Sequence, residues 1–301
     1  MECERFSSFC EKSLVDIESC LDTSLRTDLT EVTLLLEACR YATLVPCKRL
    51  RPLLVLASAA TFNAKSDAAI RSAAAIELIH TYSLIHDDLP CMDNDDFRRG
   101  RLATHKAYGE STALLAGNAL LTKAFELVLQ DELIPPHSKL DILNIYAQAS
   151  GIEGMMGGQY LDIHHEGKSI TQEKLSQVHR LKSGCLIAAS VEAGAIIGHA
   201  LYTERETLKQ FAYTLGVAFQ IRDDLLDILS PEDKRGSLTS SDLHNQKTTY
   251  VTLLGNNGCR LEIEKLQRTA RELLHSMNKN TSFLEQMMDK MLSIEIQAQK
   301  I

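Results

Sequence analysis

The densest group of chemically active side chains lies in the segment SLIHDDLPCMDNDDFRRGR, which contains Asp87, Asp88, Asp93, Arg98 and Arg99. Carboxylates at this density repel one another unless a cation lies among them. The segment offers hard oxygen donors and no set of thiolates or imidazoles, which suits Mg²⁺. The arginines that follow would bind an anion shared with that Mg²⁺ ion, because guanidinium groups pair well with phosphate.

Pro90 sets the spacing inside this first acidic motif, defined as Asp87, Asp88 and Asp93. In an unbroken helix the face of Asp87 continues four residues later, whereas Asp93 follows Asp87 by six. Pro90 lacks an N–H group and disrupts a helix. The spacing therefore predicts that the helix ends or bulges here, so that Asp93 comes back towards Asp87.

A second acidic motif, FQIRDDLLD, contains Asp223, Asp224 and Asp227, with Gln220 one turn earlier. Asp223 and Asp227 are four residues apart and share one helix face. A solvated acidic face would explain this pair in isolation, but the flanking residues are strongly apolar and a buried carboxylate needs a partner. Those flanking residues are Phe219, Ile221, Leu225, Leu226, Ile228 and Leu229.

Basic residues are available for a phosphorylated ligand between the two motifs. Lys48, Arg49 and Arg51 form KRLRP, and Arg101 follows the RRG sequence. Each basic run alone is more typical of a solvated patch. The two acidic motifs favour the alternative, that the basic residues bind an anion. The pair His86-Asp87 also suggests a metal-dependent phosphohydrolase of the HD type. Such enzymes need further His and Asp ligands that the sequence does not offer, and they would leave DDLLD unexplained.

The elements that must position these residues are helices. Apolar residues recur three or four positions apart, and Ala, Leu, Glu and Gln are abundant. We found no alternating strand pattern or hairpin signal. We therefore predict an all-α fold of about ten or more helices, with residues 1–301 forming one large domain. The periodic sets are Leu14, Ile17, Leu21 and Leu25; Leu266, Ala270, Leu273 and Met277; and Phe283, Met287 and Met291.

Two segments interrupt the helical pattern. The polar run SPEDKRGSLTSSDLHNQK is typical of a mobile loop. The glycine-rich GIEGMMGG lies in a helical context and leaves two interpretations open, a close crossing of helices or a close approach of backbone to a ligand.

Composition limits the class of protein. The 301 residues carry a net charge of −8, so no overall field attracts nucleic acid or an acidic membrane. The eight cysteines contain no CxxC pair, which favours reduced thiols in the cytoplasm. The N-terminal sequence does not resemble a signal peptide, and we expect no membrane span, since no run reaches the roughly 18 apolar residues that one requires.

The combination of DDLPCMDNDDFRRG and FQIRDDLLD closely resembles the trans-isoprenyl diphosphate synthases of the polyprenyl synthetase family, and in particular its bacterial short-chain farnesyl diphosphate synthases. Matching segments run from KRLRP to KTTY, which is most of the chain. The two motifs occur in the family's order and spacing, which makes the match highly specific.

The resemblance implies helices around a deep apolar cavity with both acidic motifs at its mouth, and a homodimer. It implies that three Mg²⁺ ions, with Mn²⁺ able to substitute, neutralise the diphosphate of an allylic substrate as it ionises. Isopentenyl diphosphate then attacks the allylic cation, and a proton is lost to the departed diphosphate. The apolar cavity would exclude water that quenches the cation.

The resemblance also implies residue roles. Both acidic motifs are assigned to Mg²⁺, and we expect Asp87, Asp93 and Asp223 to touch the metal directly. Isopentenyl diphosphate is assigned to Lys48, Arg51, His80 and Arg99. The allylic diphosphate is assigned to Arg98, Gln159, Asp162, Lys182, Ser183, Gln220 and Lys247, of which Arg98, Lys182, Gln220 and Lys247 are the catalytic set. Ser183 stands where threonine is usual. In isolation, His80 would more often be an ordinary core histidine.

Product length is expected to depend on Tyr82 and Ser83. Tyr82 precedes Asp87 by five residues, which places it roughly 7–8 Å deeper along a helix. An aromatic side chain here, with a small neighbour, resembles the arrangement that stops growth at farnesyl diphosphate. An ordinary core tyrosine is the alternative.

Two departures from the family pattern keep other functions open. Pro46-Cys47 replaces two glycines before KRLRP, and Gly236-Ser237 with Ser240 replaces a lysine and a glycine in a lid loop. Lys234 or Arg235 could compensate for the missing lysine. We predict a farnesyl diphosphate synthase. The alternatives are a geranyl or geranylgeranyl diphosphate synthase, a catalytically impaired regulatory homologue, and a terpene cyclase, against which RRG and the complete DDLLD argue.

Overall fold

The computed structural model describes residues 2–229 and 248–294, with the side chains of residues 2, 3 and 229 excepted. Nearly all regular structure in these residues is helical, which confirms the all-α prediction. The helices are α1 (Glu2–Ser24), α2 (Thr33–Thr43), α3 (Leu50–Thr61), α4 (Asp67–Asp87), α5 (Thr104–Tyr108), α6 (Glu110–Leu129), α7 (Pro136–Ser150), α8 (Met155–His164), α9 (Gln172–His179), α10 (Cys185–Ile197), α11 (Tyr202–Leu229), α12 (Tyr250–His275) and α13 (Ser282–Leu292).

Shorter elements complete the described chain. A 3₁₀ turn covers Thr30–Val32, and a π-helix covers Arg180–Gly184 between α9 and α10. The strands β1 (Phe97–Arg98) and β2 (Arg101–Leu102) pair antiparallel, with Arg98 opposite Arg101. Their two-residue turn, Arg99-Gly100, has positive φ at both positions (53° and 76°), as a type I′ turn requires. The sequence analysis missed this hairpin.

The chain divides into two compact units, which we describe separately. Unit 1 comprises Met1–Ala147 and Ala189–Leu201, and unit 2 comprises Gln148–Ala188 and Tyr202–Ile301. That residues 1–301 form one functional domain stays a prediction.

Unit 1 is built around α3 and α4, which are buried over most of their length. On α1, Ile17 and Leu21 have no exposed surface, in agreement with the predicted periodicity. Ser58 of α3 donates to the carbonyl of Val191 on α10, with Oγ and O 2.6 Å apart. This buried hydrogen bond satisfies a polar group inside an apolar core.

Helix α6 of unit 1 is long and apolar enough to cross a membrane by length and composition alone. A core helix passes the same test, so this is weak evidence for a span. The face that α6 buries in unit 1 consists of Ala113, Ala116, Gly117, Leu120, Ala124, Leu127 and Val128.

Unit 2 is organised by the long helices α11 and α12, which pack along each other. The side chain of Thr249 accepts from the N–H of Thr252, and the Thr252 side chain accepts from the N–H of Thr249, so a capping box begins α12. Met287 and Met291 on α13 are almost fully buried, again as the periodicity predicts.

Candidate active site

The first acidic motif lies where α4 ends. Helix α4 stops at Asp87, and the N–H of Asp93 then donates to the carbonyl of Asp87 at 2.9 Å. The N–H of Asn94, which has a φ of 52°, donates to the carbonyl of Leu89 at 3.1 Å. The predicted break at Pro90 is therefore present, and it folds Asp93 back onto the last turn of α4.

Within this motif, Asp88 is held by protein. Its side chain is buried, and the Nε of Arg98 lies 2.9 Å from Oδ1 and 3.2 Å from Oδ2. Arg98 Nη2 also donates to Asp88, and it lies 3.1 Å from Oδ2 of Asp95. Burial raises the pKa of the Asp88 carboxyl, and the bonds from Arg98 oppose this shift. The structure thus brings Asp88 and Arg98 together, although the sequence analysis gave them separate ligands.

The basic residues predicted for isopentenyl diphosphate lie at the start of α3 and on α4. Lys48 is exposed, while Arg51 and His80 are half-buried. Burial and the positive charges of Arg51, Arg99, Arg98 and Arg49 hold the pKa of His80 well below its usual value. His80 is therefore neutral at pH 7 and can donate one hydrogen bond to an anion.

Arg49 occupies a position that the sequence did not reveal. It precedes α3 in a left-handed conformation with a φ of 45°, and its side chain is buried. Arg49 Nε lies 2.7 Å from Glu18 Oε1, and Nη1 lies 2.8 Å from Glu77 Oε1. Arg49 therefore stabilises the turn from inside, between Lys48 and Arg51.

The departure Pro46-Cys47 joins the same network. Pro46 is exposed, and Cys47 Sγ lies 3.7 Å from Glu77 Oε1. Burial, followed by the charge of Glu77, raises the pKa of the Cys47 thiol. A protonated thiol can donate weakly to the carboxylate, so Cys47 is accommodated here.

Tyr82 and Ser83 lie on α4, between Glu77 and the first acidic motif. Tyr82 is 3 % exposed, and its ring meets the edge of the His86 ring at a centroid distance of 5.6 Å. Burial and the charge of Asp87 raise the pKa of Tyr82 to about 12, so the phenol is neutral. Ser83 Oγ donates to the carbonyl of His80 at 2.8 Å. Their role in chain length stays a prediction.

In unit 2, the π-helix carries Lys182 and Ser183. Lys182 Nζ lies 2.7 Å from Asp162 Oδ2 on α8, and Ser183 Oγ donates to Gln220 Oε1 on α11 at 3.0 Å. A π-turn is a strained insertion that frequently occurs at functional sites. Four of the predicted allylic-diphosphate residues are thus directly bonded in two pairs.

Helix α8 passes very close to the π-helix. A Cβ atom on Gly158 would lie 2.2 Å from the backbone nitrogen of Lys182. The glycine-rich segment therefore makes a close helix crossing, which is one of the two interpretations left open by the sequence. The neighbouring Gln159 is buried, and its Nε2 atom has no hydrogen-bond partner among the described residues.

The second acidic motif lies on α11, as predicted. Asp224 is buried, where Oδ1 accepts from Gln220 Nε2 at 3.2 Å and Oδ2 accepts from the N–H of Tyr250 at 2.8 Å. Asp224 therefore caps the first turn of α12, where a negative charge is favourable. Asp223 is half-buried beside Arg222, with Oδ1 and Nη1 2.8 Å apart, and Asp227 is exposed.

Several predictions fall outside the described residues. They concern Lys247 and the lid loop with Lys234, Arg235, Gly236, Ser237 and Ser240. The roles assigned to these residues stay predictions.

Within residues 2–229 and 248–294, no group of three or more His, Cys, Asp or Glu side chains is placed to hold a metal ion. A pair of carboxylates still fits Mg²⁺, because Mg²⁺ takes one or two carboxylates and completes its shell with water or phosphate oxygens. Asp87 and Asp93 share one turn in unit 1, and Asp223 and Asp227 share one helix face in unit 2.

Sequence reasoning missed Glu77 as a member of the site. It lies in the apolar run AAAIELIH of α4, one turn before His80. A lone carboxylate inside an apolar helix segment is itself a signal, because a buried charge needs a partner.

Comparison with known proteins decides the family. The family model for polyprenyl synthetase matches residues 32–291, which include every predicted site residue. The chain belongs to the polyprenyl synthetase family. The predicted resemblance is therefore confirmed.

Individual members of the polyprenyl synthetase family agree in sequence and fold. The farnesyl diphosphate synthase of Geobacillus stearothermophilus is 47 % identical over 230 residues, which cover 74 % of this chain and 77 % of that protein. A crystal structure of an FPP/GFPP synthase from Zymomonas mobilis matches with a TM-score of 0.87 at 36 % identity, covering 96 % of this chain and 99 % of that one. The geranyltransferase of Helicobacter pylori, solved with magnesium and isoprenyl diphosphate, matches with a TM-score of 0.82 at 30 % identity, covering 97 % and 96 %.

Proposed function

We propose that the chain is a prenyltransferase that condenses isopentenyl diphosphate with dimethylallyl or geranyl diphosphate and releases farnesyl diphosphate. The observation that carries this proposal is the 47 % identity with a farnesyl diphosphate synthase, in a chain that keeps both acidic motifs complete. The relative's activity sets the reaction class, and the site's own geometry supports it.

The residues of unit 1 would bind isopentenyl diphosphate. Lys48, Arg51 and Arg99 supply positive charge, and neutral His80 supplies a hydrogen-bond donor. Arg98 also lies in unit 1, but it is proposed for the allylic diphosphate. Its bonds to Asp88 and Asp95 hold its guanidinium in place before any ligand enters. Such preorganisation lowers the free-energy cost of binding a diphosphate.

The residues of unit 2 would bind and activate the allylic diphosphate. The ion pair with Asp162 fixes the ammonium group of Lys182, which lies on the π-helix. Gln220 is hydrogen-bonded to both Ser183 and Asp224 and so connects them. The buried Nε2 donor of Gln159 is available for a phosphate oxygen. Lys247 is proposed for the same ligand from the sequence alone.

We propose Mg²⁺ as the cofactor, with three ions per site and with Mn²⁺ able to substitute. When bound, Mg²⁺ neutralises the diphosphate leaving group. Asp87, Asp93 and Asp223 would ligate it directly, with Asp227 on the same helix face as Asp223. Asp88 and Asp224 complete the two motifs, and we expect them to act mainly through Arg98 and the start of α12.

The proposed enzyme is a cytoplasmic homodimer, in keeping with the resemblance. Leu114 and Leu115 on α6 are 46 % and 54 % exposed and form adjacent apolar surface on this helix. A second copy of the chain would cover them, because most oligomers are symmetric and dimers are the commonest kind.

Product analysis tests the function. The purified chain is incubated with Mg²⁺, labelled isopentenyl diphosphate and either dimethylallyl or geranyl diphosphate. The products are then dephosphorylated and the alcohols separated by length. Farnesol supports the proposal, and geranylgeraniol or a longer alcohol keeps the reaction but rejects the product. Absence of condensation in a folded chain that still binds diphosphate would favour the regulatory homologue.

A matched variant makes this test specific to the site. Asp223→Asn removes one proposed metal ligand while keeping the side chain's shape, and activity should fall by at least about a hundredfold, as expected when a group that stabilises leaving-group charge is lost. Asp289 on α13 pairs with Gln267 and Arg271 at the surface of unit 2. Asp289→Asn is therefore the control, and this variant should keep its activity.

A further inference from the structure

Glu77 is a buried carboxylate on which two arginines from different segments converge. Arg49 Nη1 lies 2.8 Å from Glu77 Oε1, and Arg99 Nη2 lies 3.9 Å from the same oxygen. The side chain of Glu77 is 2 % exposed. Cys47 Sγ, at 3.7 Å, is a third neighbour of this atom.

Both arginines have left-handed backbones. The φ angle is 45° at Arg49, directly before α3, and 53° at Arg99, in the turn of the β1–β2 hairpin. Such a conformation is unfavourable for a residue with a Cβ atom and persists when surrounding contacts determine it. Glu77 is the contact that the two turns have in common.

The two arginines depend on Glu77 to different degrees. Arg49 has a second carboxylate, since its Nε and Nη2 atoms lie 2.7 Å and 3.1 Å from Glu18, and Nη2 also donates to the carbonyl of Thr43 at 2.6 Å. For Arg99, Glu77 is the only ion-pair partner among residues 2–229 and 248–294. Loss of the Glu77 charge should therefore release Arg99 while Arg49 stays in place.

We propose that Glu77 is a positioning residue for isopentenyl diphosphate, because it holds the guanidinium of Arg99. This inference rests on the proposed function. The placement of His80 supports it, since His80 follows Glu77 by three residues and lies on the same side of α4.

Charge balance is consistent with a diphosphate next to this carboxylate. Glu77 and Glu18 together would repel the anion, and Arg49 between them offsets one of their two negative charges. Lys48, Arg51 and Arg99 then leave a positive surplus for the ligand. Glu77 thus orders Arg99 without cancelling the attraction of the site.

Steady-state kinetics of Glu77→Gln test the proposal. We expect the KM for isopentenyl diphosphate to rise about tenfold, because small displacements of a positioning group weaken binding strongly. The KM for geranyl diphosphate should stay within about twofold, since its proposed ligands do not contact Glu77. Equal changes in both constants, or no change in the first, would overturn the proposal.

Glu192→Gln is the matched control. Glu192 is also a buried glutamate of unit 1, 6 % exposed, on α10. It should leave both KM values unchanged. Thermal unfolding of both variants, followed by circular dichroism, reports any general loss of stability separately from the KM values.

A double-mutant cycle distinguishes positioning from a purely structural role. If Glu77 acts through Arg99, Glu77→Gln should add little to the KM increase that Arg99→Ala causes alone, because the two changes remove one interaction. Fully additive increases in KM would show that Glu77 does not act through Arg99.

Two safeguards keep the result interpretable. Should Glu77→Gln fail to fold, Glu77→Asp takes its place. It withdraws the carboxylate from both arginines by one methylene, but Arg49 keeps its bonds to Glu18, so Arg99 is the residue released. An unchanged KM would then reject the proposal. A wild-type chain without condensation activity would reject the proposed function instead. In that case, the affinities of the wild type and of Glu77→Gln for inorganic pyrophosphate are compared. Equal affinities would reject the role of Glu77, and weaker binding by the variant would support it.

Discussion

The side chain of Tyr82 decides the expected product length. Tyr82 is buried and lies five residues before Asp87 on α4, the position from which we predict that its ring blocks a growing chain. Tyr82→Ala should therefore yield products longer than farnesyl diphosphate, which chromatography of the dephosphorylated alcohols would detect. Tyr82→Phe keeps the ring and should still give farnesol. If Tyr82→Ala also stopped at farnesol, the ring would not be the block.

The buried His179 makes the fold sensitive to acid. Desolvation lowers the pKa of His179 to about 4, and its Nδ1 has no hydrogen-bond partner among the described residues. Asp162 opposes this shift and Lys182 adds to it. In the unfolded chain the histidine titrates near its usual pKa of about 6.5. As pH falls below that value, the unfolded state gains a proton that the folded state does not, so stability is lost.

Between pH 6.5 and pH 4 this effect amounts to about 3 kcal/mol, on the order of 1.4 kcal/mol for each pH unit. Urea unfolding at pH 7 and pH 4.5 should show that His179→Gln loses less free energy of unfolding on acidification than the wild type does. His137→Gln, at an exposed position, should behave as the wild type does. An equal loss in His179→Gln and wild type would show that another group dominates.

At the scale of elements, the crossing of α8 over the π-helix determines where Lys182 lies. A Cβ atom at Gly158 would stand 2.2 Å, 2.6 Å and 2.7 Å from backbone atoms of Lys182 and Leu181, so the two segments must separate. Gly158→Ala should cost about 1–3 kcal/mol of stability, as overpacking does. Because Lys182 moves with its backbone, the KM for the allylic diphosphate should also rise.

The control for that prediction is Gly184→Ala in the same π-helix. Its added Cβ would meet its nearest atoms at 3.6 Å or more, which is ordinary contact. Chemical unfolding and steady-state kinetics of both variants measure the two effects. Equal behaviour of the two variants would contradict a special role for the crossing at Gly158.

The helices and the break at Pro90 could be predicted because they depend on local sequence. Apolar spacing defines a helix face, and a missing N–H group ends a helix within a few residues. The partners of Asp88 and Asp224 could not be predicted, since Arg98 approaches through a hairpin and Tyr250 lies 26 residues further along the chain. Both aspartates belong to motifs that we predicted to bind Mg²⁺, and each is hydrogen-bonded to protein.

The same limit explains why Glu77 was missed. Its partners Arg49 and Arg99 come from separate turns, and each turn depends on a positive φ at a residue other than glycine. Local preference argues against that conformation, so it can be found only when the packed structure is known. Two of the five described non-glycine residues with positive φ, Arg49 and Arg99, therefore lie at the proposed diphosphate site.

At the scale of the whole molecule, adjacent exposed leucines on α6 predict association. Leu114 and Leu115 present apolar surface to solvent, and burying it against a second copy would remove that surface from water. If the wild type forms the proposed dimer, Leu115→Lys should shift it to a monomer in light scattering coupled to size-exclusion chromatography. Leu261→Lys changes a leucine that is 66 % exposed on α12 and should leave the dimer intact.

The two variants separate a specific interface from general hydrophobicity. Both replace one exposed leucine by lysine, so they change net charge and apolar surface alike. If each variant weakened the dimer equally, charge repulsion would explain the loss, and α6 would have no special part in it. If Leu115→Lys alone gives a monomer that retains its helical circular dichroism, the face of α6 joins two copies whose folds do not depend on one another.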